Sequence, residues 1–267
     1  MPKLIREIRM GPPKVWKTGA VVSSYPRPLF VFEGDEGGLD VINEPIEWVT
    51  KATFPVYLTA GKIAPITAFQ FAKHPDLQLV DLFGPIPEKT SFPEFNELGN
   101  MLFKAKPFPF KTVVIDPIGM LSNSILSYFS QTNARKMEDA RKWASAVGDK
   151  TKNVMAAFFT LPCHVVCLMH SAKQQVVNEK GEVTSSTEEP ALLSKTARTM
   201  IGSIASQFFY QNCLVIGTNR VVKLHTVGDS HVQGLGARWP ANLPAEITNP
   251  TFDAVYGEAV KKGETTK

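Results

Sequence analysis

Lys17 and Thr18 close an eight-residue stretch whose spacing can do phosphate chemistry: Gly11-Pro12-Pro13-Lys14-Val15-Trp16-Lys17-Thr18. It follows the pattern G-x-x-x-x-G-K-[ST], except that Trp16 stands where the second glycine belongs. In such a loop, successive backbone N–H groups and the start of the following helix converge on phosphate oxygens. Lys17 is then placed to reach the β- and γ-phosphates, and the Thr18 hydroxyl to hold Mg2+. Residues 11–19, Gly19 included, are the candidate nucleotide-binding segment, with Lys14 as a second positive charge in the loop. Trp16 leaves two outcomes open. Its indole either points outward, over the nucleotide or against a neighbouring subunit, or fills the phosphate pocket and occludes the site.

Three further residue types belong to the same chemistry. Asp116 ends the apolar run Thr112-Val113-Val114-Ile115-Asp116, where a carboxylate can hold a Mg2+-bound water facing Thr18 across a neighbouring strand end. Glu36, in Glu33-Gly34-Asp35-Glu36-Gly37-Gly38, is a carboxylate that can orient a water by accepting its proton, with Asp35 as the alternative. Asp40 suits a capping role. His170 follows Leu168-Met169, and an imidazole at that point can hydrogen-bond a phosphate oxygen. His164, inside the same apolar run, reads as structural.

These groups act together only if strands carry them to one place. Residues 4–10 alternate apolar and polar and run into the loop, and 18–24 allow a helix of about two turns before Pro26 and Pro28 stop it. Pro28 to Phe32, 112–116 and 163–169 read as strands. Short strands are also expected at 46–50 and 55–59. Residues 64–83 and 91–105 read mainly as helix with loop, 121–159 as a long helical region broken near Gly148, and 172–196 as polar and irregular. Residues 208–216 and 221–226 read as an antiparallel pair. The alternation predicts a mostly parallel α/β sheet flanked by helices with an antiparallel edge hairpin. In such sheets ligands lie beyond the carboxyl ends of the strands, which gathers Gly11, Glu36, Asp116 and His170.

That order of loop, glutamate, aspartate and histidine on successive strand ends resembles the RecA-like P-loop ATPases. It is most similar to the phage-encoded AAA/RecA-like nucleotide-binding family, whose loop reads like G-P-P-K-V-G-K-T. The resemblance spans roughly residues 4–256, as one domain over 1–256. It implies ATP and Mg2+ as ligands, ATP hydrolysis, an assembly of like subunits, and action on single-stranded DNA in phage recombination, repair or replication. By the same resemblance, His170 senses the γ-phosphate. Arg238, in Gly236-Ala237-Arg238, is a candidate finger that reaches a neighbouring subunit's nucleotide.

The DNA would be held by segments near 117–150 and 171–198. The first carries Arg135, Lys136, Arg141 and Lys142 beside Tyr128, Phe129 and Trp143, aromatics that can stack on bases. The same residues also describe a helix with one apolar and one charged face. The second segment contributes Lys173. Three readings stay open: an ATP-dependent recombinase or annealing protein, a non-hydrolytic nucleotide-binding scaffold or loading module, and a helicase-type motor.

Composition sets bounds around these readings. The 267 residues are 43% hydrophobic and 20% charged, enough for a sizeable core. Net charge is +4 with the basic residues spread along the chain, which permits a polyanionic partner without requiring one. No apolar run is long enough to span a membrane and no secretory leader is expected. Cys163, Cys167 and Cys213 form no C-x-x-C pair, and the first two read as buried thiols in a reducing cytoplasm. Residues 257–267 read as a polar, frayed tail.

Overall fold

Leu29 to Glu33 are buried without exception, although consecutive strand residues face opposite sides of a sheet. A strand with no polar face must be covered on both sides, and that requirement organises the molecule. The computed structural model describes residues 3–35, 37–71, 92–133, 140–178, 181–192, 195–216, 219–230, 232, 234–238, 240 and 242–264.

The chain runs β1 (Arg6–Gly11), α1 (Lys17–Val22), β2 (Leu29–Glu33), β3 (Glu47–Trp48), α2 (Phe54–Thr59), β4 (Ile66–Gln70), α3 (Phe92–Lys104) and β5 (Thr112–Asp116). It continues through α4 (Ile118–Asn133), α5 (Ala140–Phe158), β6 (His164–Val177), β7 (Val183–Pro190), α6 (Lys195–Ile204), β8 (Gln207–Ile216) and β9 (Asn219–His225). It closes with β10 (Gly236–Ala237), β11 (Glu246–Thr248) and α7 (Phe252–Glu264). The strand order is β11-β9-β8-β1-β6-β5-β2-β4-β3, with β10 on β8 and β7 on β6. From β3 to β8 all neighbours are parallel, while β7, β9, β10 and β11 are antiparallel additions. The expected mostly parallel sheet with antiparallel edge strands is therefore the observed one.

Alternation sorts the core into two layers. Phe30 and Phe32 of β2, Val113 and Ile115 of β5, and Val165 and Cys167 of β6 join the helix residues Phe95, Leu98, Ile125 and Phe158. Leu29, Val31, Val114 and Val166 point the other way, toward Val21 and Val22 of α1 and Phe252, Val255 and Tyr256 of α7. Cys163 and Cys167 are buried free thiols, as expected.

Local periodicity misled at five places. Residues 54–59 form helix α2 with Pro55 in its first turn, a position that needs no amide donor. Residues 66–70 are strand β4, held between β2 and β3 rather than helical. Helix α5 runs unbroken through Gly148. Within 172–196, read as irregular, β6 continues to Val177 and pairs antiparallel with β7. The largely exposed strands of this hairpin have no alternating apolar signature, so only the ladder reveals it. Residues 257–264, expected to fray, continue α7.

Candidate nucleotide-binding site

Strand β1 ends at Gly11, a position that must be glycine because the chain passes very close to β8 there. A Cβ on Gly11 would lie 2.0 Å from the Gln211 carbonyl oxygen. The loop that follows bends through two left-handed residues, Lys14 (φ 61°) and Trp16 (φ 62°), before α1 begins at Lys17. Trp16 thus adopts the backbone shape that glycine would supply freely, at a cost of roughly 1–2 kcal/mol for an L-residue. Its side chain is about half exposed and lies over Gly19, where an added Cβ would sit 2.1 Å from the indole Nε1. The indole is directed outward onto the first turn of α1, and Gly19 is the seat that admits it.

Lys17 occupies the inside of the loop. Its ammonium donates to the carbonyls of Gly11 (3.0 Å) and Pro12 (2.7 Å), and the residue is 5% exposed. Burial pulls its pKa down to about 8, with Asp116 and Asp35 opposing that shift. The Thr18 hydroxyl donates to Asp116 Oδ2. Burial raises Asp116 to about 6, against the Thr18 hydrogen bond and the Lys17 charge. Strand β5 is not the neighbour of β1; β6 lies between them, so the Thr18–Asp116 contact spans an intervening strand.

Glu33, the last residue of β2, is paired in register with Asp116 and is 2% exposed. Its carboxylate accepts the Leu39 amide at 2.8 Å, tying back the acidic loop 34–39. Burial lifts it to about 7, and the neighbouring Asp116, Asp40 and Asp35 push the same way against the Leu39 hydrogen bond. Sequence reading passed over Glu33, although its place at the end of a wholly apolar strand was the available signal. Glu36 lies outside the described residues. Asp35 is described and faces His170, with Oδ2 3.6 Å from Nε2. Gly11 is the register partner of His170, which places the imidazole at the mouth of the loop. Burial and the Lys17 charge lower the His170 pKa, with Asp35 opposing them. His164 accepts the Ile5 amide through Nδ1 at the far end of β6.

The remaining candidates do not join this cluster. Pro13 and Lys14 form the outer, solvent-facing part of the loop, while half-buried Pro12 touches the cluster only through its carbonyl and Val15 packs inward. Arg238 follows β10, whose Ala237 pairs with Gln207 at the amino-terminal end of β8. Its guanidinium donates to the Ser203 carbonyl at 2.9 Å. In its own chain it therefore sits at the opposite end of the sheet from the loop. Arg135 and Lys136 lie outside the described residues, as do the side chains of Arg141 and Lys142 on α5. Lys173 is exposed on the β6–β7 hairpin opposite Glu188. A cleft of about 370 Å3 beside His170 is lined by Pro117, Met120 and Asn123 from one segment and Leu192 and Arg198 from the other.

A buried lysine on a tight loop, a hydroxyl–aspartate pair and further acids at adjacent strand ends define a P-loop nucleotide-binding domain. The family model described as AAA domain (AAA_24) matches residues 6–206, and the chain belongs to that family. No curated protein matches it in sequence. Among solved structures it is similar to the flagellar accessory protein FlaH from Methanocaldococcus jannaschii, with 10% identity, 93% of this chain and 85% of that one covered, and TM-score 0.40. It is also similar to a KaiC-like protein from Pyrococcus horikoshii OT3, with 15% identity, coverage of 83% and 78%, and TM-score 0.38. Among the described residues, no helix is long and apolar enough to cross a membrane.

The donor set fits Mg2+ with a nucleotide rather than Mg2+ alone. No described group of three or more His, Cys, Asp or Glu side chains is placed to hold a metal. Thr18 and Asp116 would supply two oxygens to the ion, and phosphate would supply others.

Proposed function

We propose that this protein binds Mg2+·ATP through residues 11–19 and Asp116, hydrolyses it, and couples the cycle to single-stranded DNA as part of an assembly of like subunits. The observation that carries the nucleotide reading is the Lys17 ammonium. It is buried against two backbone carbonyls and shifted toward neutrality, and an anionic phosphate is the ligand that would relieve it. Thr18 and Asp116 would hold the Mg2+, which would neutralise charge on the phosphate oxygens. The chain's own groups do the rest. Lys17 exchanges its carbonyl partners for phosphate oxygens, and His170 presents an imidazole at the mouth of the loop. A carboxylate of segment 33–36 accepts a proton from water.

Which carboxylate acts is decided by comparing Glu33→Gln, Asp35→Asn and Glu36→Gln. Loss of a general base lowers kcat by about 10²–10⁴ while leaving ATP affinity nearly intact, and only one of the three should do so. The DNA reading draws support from the cleft, which brings together the two segments expected to handle a strand. ATPase turnover with and without single-stranded DNA tests it directly; equal rates would remove DNA from the proposal. A scaffold that binds nucleotide without turnover is favoured by one feature, the left-handed Trp16. ATP-dependent thermal stabilisation without measurable hydrolysis would establish that reading instead.

A further inference from the structure

Two polar residues of β1 are wholly buried on the side of the sheet that faces α1 and α7. Arg9 Nε donates to Glu7 Oε1 at 2.6 Å, and both side chains are completely shielded. Glu7 Oε2 accepts the hydroxyls of Tyr25 and of Tyr256, the latter at 2.6 Å. Arg9 Nη2 donates to the Tyr25 oxygen at 3.0 Å. Its Nη1 donates at 3.1 Å to Oε1 of Gln211, also fully buried. That bond fixes which end of the Gln211 amide faces inward. The other end then donates Nε2–H to the Val15 carbonyl at 2.8 Å.

This network reaches the nucleotide site at two points. Val15 immediately precedes the left-handed Trp16, so its carbonyl direction sets how the loop enters that turn. Tyr25 lies just beyond the end of α1, with its amide bonded to the Val21 carbonyl at 3.0 Å. Helix α1 has only six residues and no side-chain cap at its start. A helix that short is marginal unless held from outside. Strand β8 thus contributes twice: the Gln211 backbone walls Gly11, and its side chain anchors Val15.

We propose that Gln211 is a positioning residue of the phosphate loop: oriented by Arg9, it pins Val15, and with Tyr25 it clamps loop and helix α1 as one preformed unit. The role explains how a loop lacking its second glycine keeps the turn, since an external hydrogen bond offsets the strain at Trp16. The consequence for nucleotide affinity rests on the function proposed above; the consequence for the unliganded loop does not.

The test is hydrogen exchange on the unliganded protein, comparing Gln211→Met, similar in length but without a donor, with wild type. Amides across 17–25 should exchange roughly tenfold faster, as expected for loss of one net hydrogen bond, while those of β5 and β6 keep wild-type protection. ATP affinity should fall by a similar factor with kcat little changed. Acceleration throughout the sheet would show an ordinary core residue and overturn the proposal, as would unchanged exchange over 17–25. Should Gln211→Met not fold, Gln211→Asn shortens the reach to Val15 while keeping the amide, and the same two patterns decide. Tyr256→Phe is the control. It removes a Glu7 partner but leaves the Gln211–Val15 bond in place, so loosening of 17–25 as large as in Gln211→Met would refute a particular role for Gln211. A wild type that binds no ATP would count against the proposed function and leave the exchange result standing.

Discussion

Strand β1 carries one cluster of charges along its length and runs into a second beyond its end, and the two are opposites. At Glu7 and Arg9 every charge is matched: burial alone would lower the arginine, yet Glu7, Tyr25 and Tyr256 together hold it above its usual value. Burial and the Glu7 carboxylate keep the Tyr25 and Tyr256 hydroxyls protonated. Beyond Gly11 the charges are unreconciled. Lys17 is pulled down, Glu33 and Asp116 are pushed up, and His170 is lowered, each mainly by burial without a full set of partners. Mutual satisfaction marks a structural network, and shared dissatisfaction at adjacent strand ends marks a place prepared for a ligand that brings its own charges.

Arg9→Met should break the contrast most severely. It leaves Glu7 buried without its cation, a change that costs about 3–5 kcal/mol of folding stability. Urea denaturation without nucleotide measures it; a loss under ~1 kcal/mol would mean the pair is solvated after all. Lys17→Ala is the counterpart, with the opposite sign in the two states. Removing an ill-solvated cation should leave the unliganded protein as stable as wild type or more so. Yet the ATP-dependent stabilisation, about 2.7 kcal/mol at one hundred times Kd, should vanish. The folded pKa of Lys17 lies below its ordinary value, so its burial is a burden below about pH 8 that eases as pH rises toward 10.5. The gain from Lys17→Ala should therefore shrink at high pH.

A smaller effect sharpens the account of Trp16. Glycine to alanine in a helix normally stabilises by about 1 kcal/mol. Gly19→Ala should instead destabilise by about 1–3 kcal/mol through overpacking against the indole. The double variant Trp16→Gly, Gly19→Ala should recover that loss. Additive single effects in the thermal melts would place the indole elsewhere.

The least of the expected changes concerns Glu33. Its folded pKa, about 7, lies above the ordinary 4.5. Its contribution is therefore favourable below pH 4.5 and is lost as pH rises through 7. Glu33→Gln should remove that fall. The variant should gain a few degrees in Tm over wild type at pH 8 and little at pH 4.5. A Tm difference independent of pH would show that Glu33 titrates normally.

Much of the site is legible in the amino-acid sequence. Short apolar runs of β-branched and aromatic residues mark β2, β5 and the buried part of β6, an alternating run marks β1, and a chemically distinctive group follows each in the parallel sheet that aligns them. Glu33 escapes notice because a more conspicuous acidic turn follows it, and only burial separates a strand-end carboxylate from a solvated one. Glu7 and Arg9 read as the wet face of an alternating strand, since no local pattern reports that α1 and α7 cover that face. The β6–β7 hairpin is hidden for the reverse reason: it is largely solvent-facing, and its few apolar residues, Val176, Val177 and Val183, do not alternate with polar ones along a buried face.

What the sequence determined by itself is the chemistry available: a lysine and threonine at loop spacing, an aspartate at the end of an apolar run, and strands enough to align them. Those are properties of residue type and short-range order, which propensity and periodicity carry. Tertiary structure alone decided that Trp16 turns outward onto Gly19, that Asp116 reaches Thr18 past an intervening strand, and that Gln211 holds Val15. Gln211 and Val15 stand 196 positions apart. Contacts at that separation depend on how strands are ordered and which faces helices cover, and no local stretch of chain contains that information.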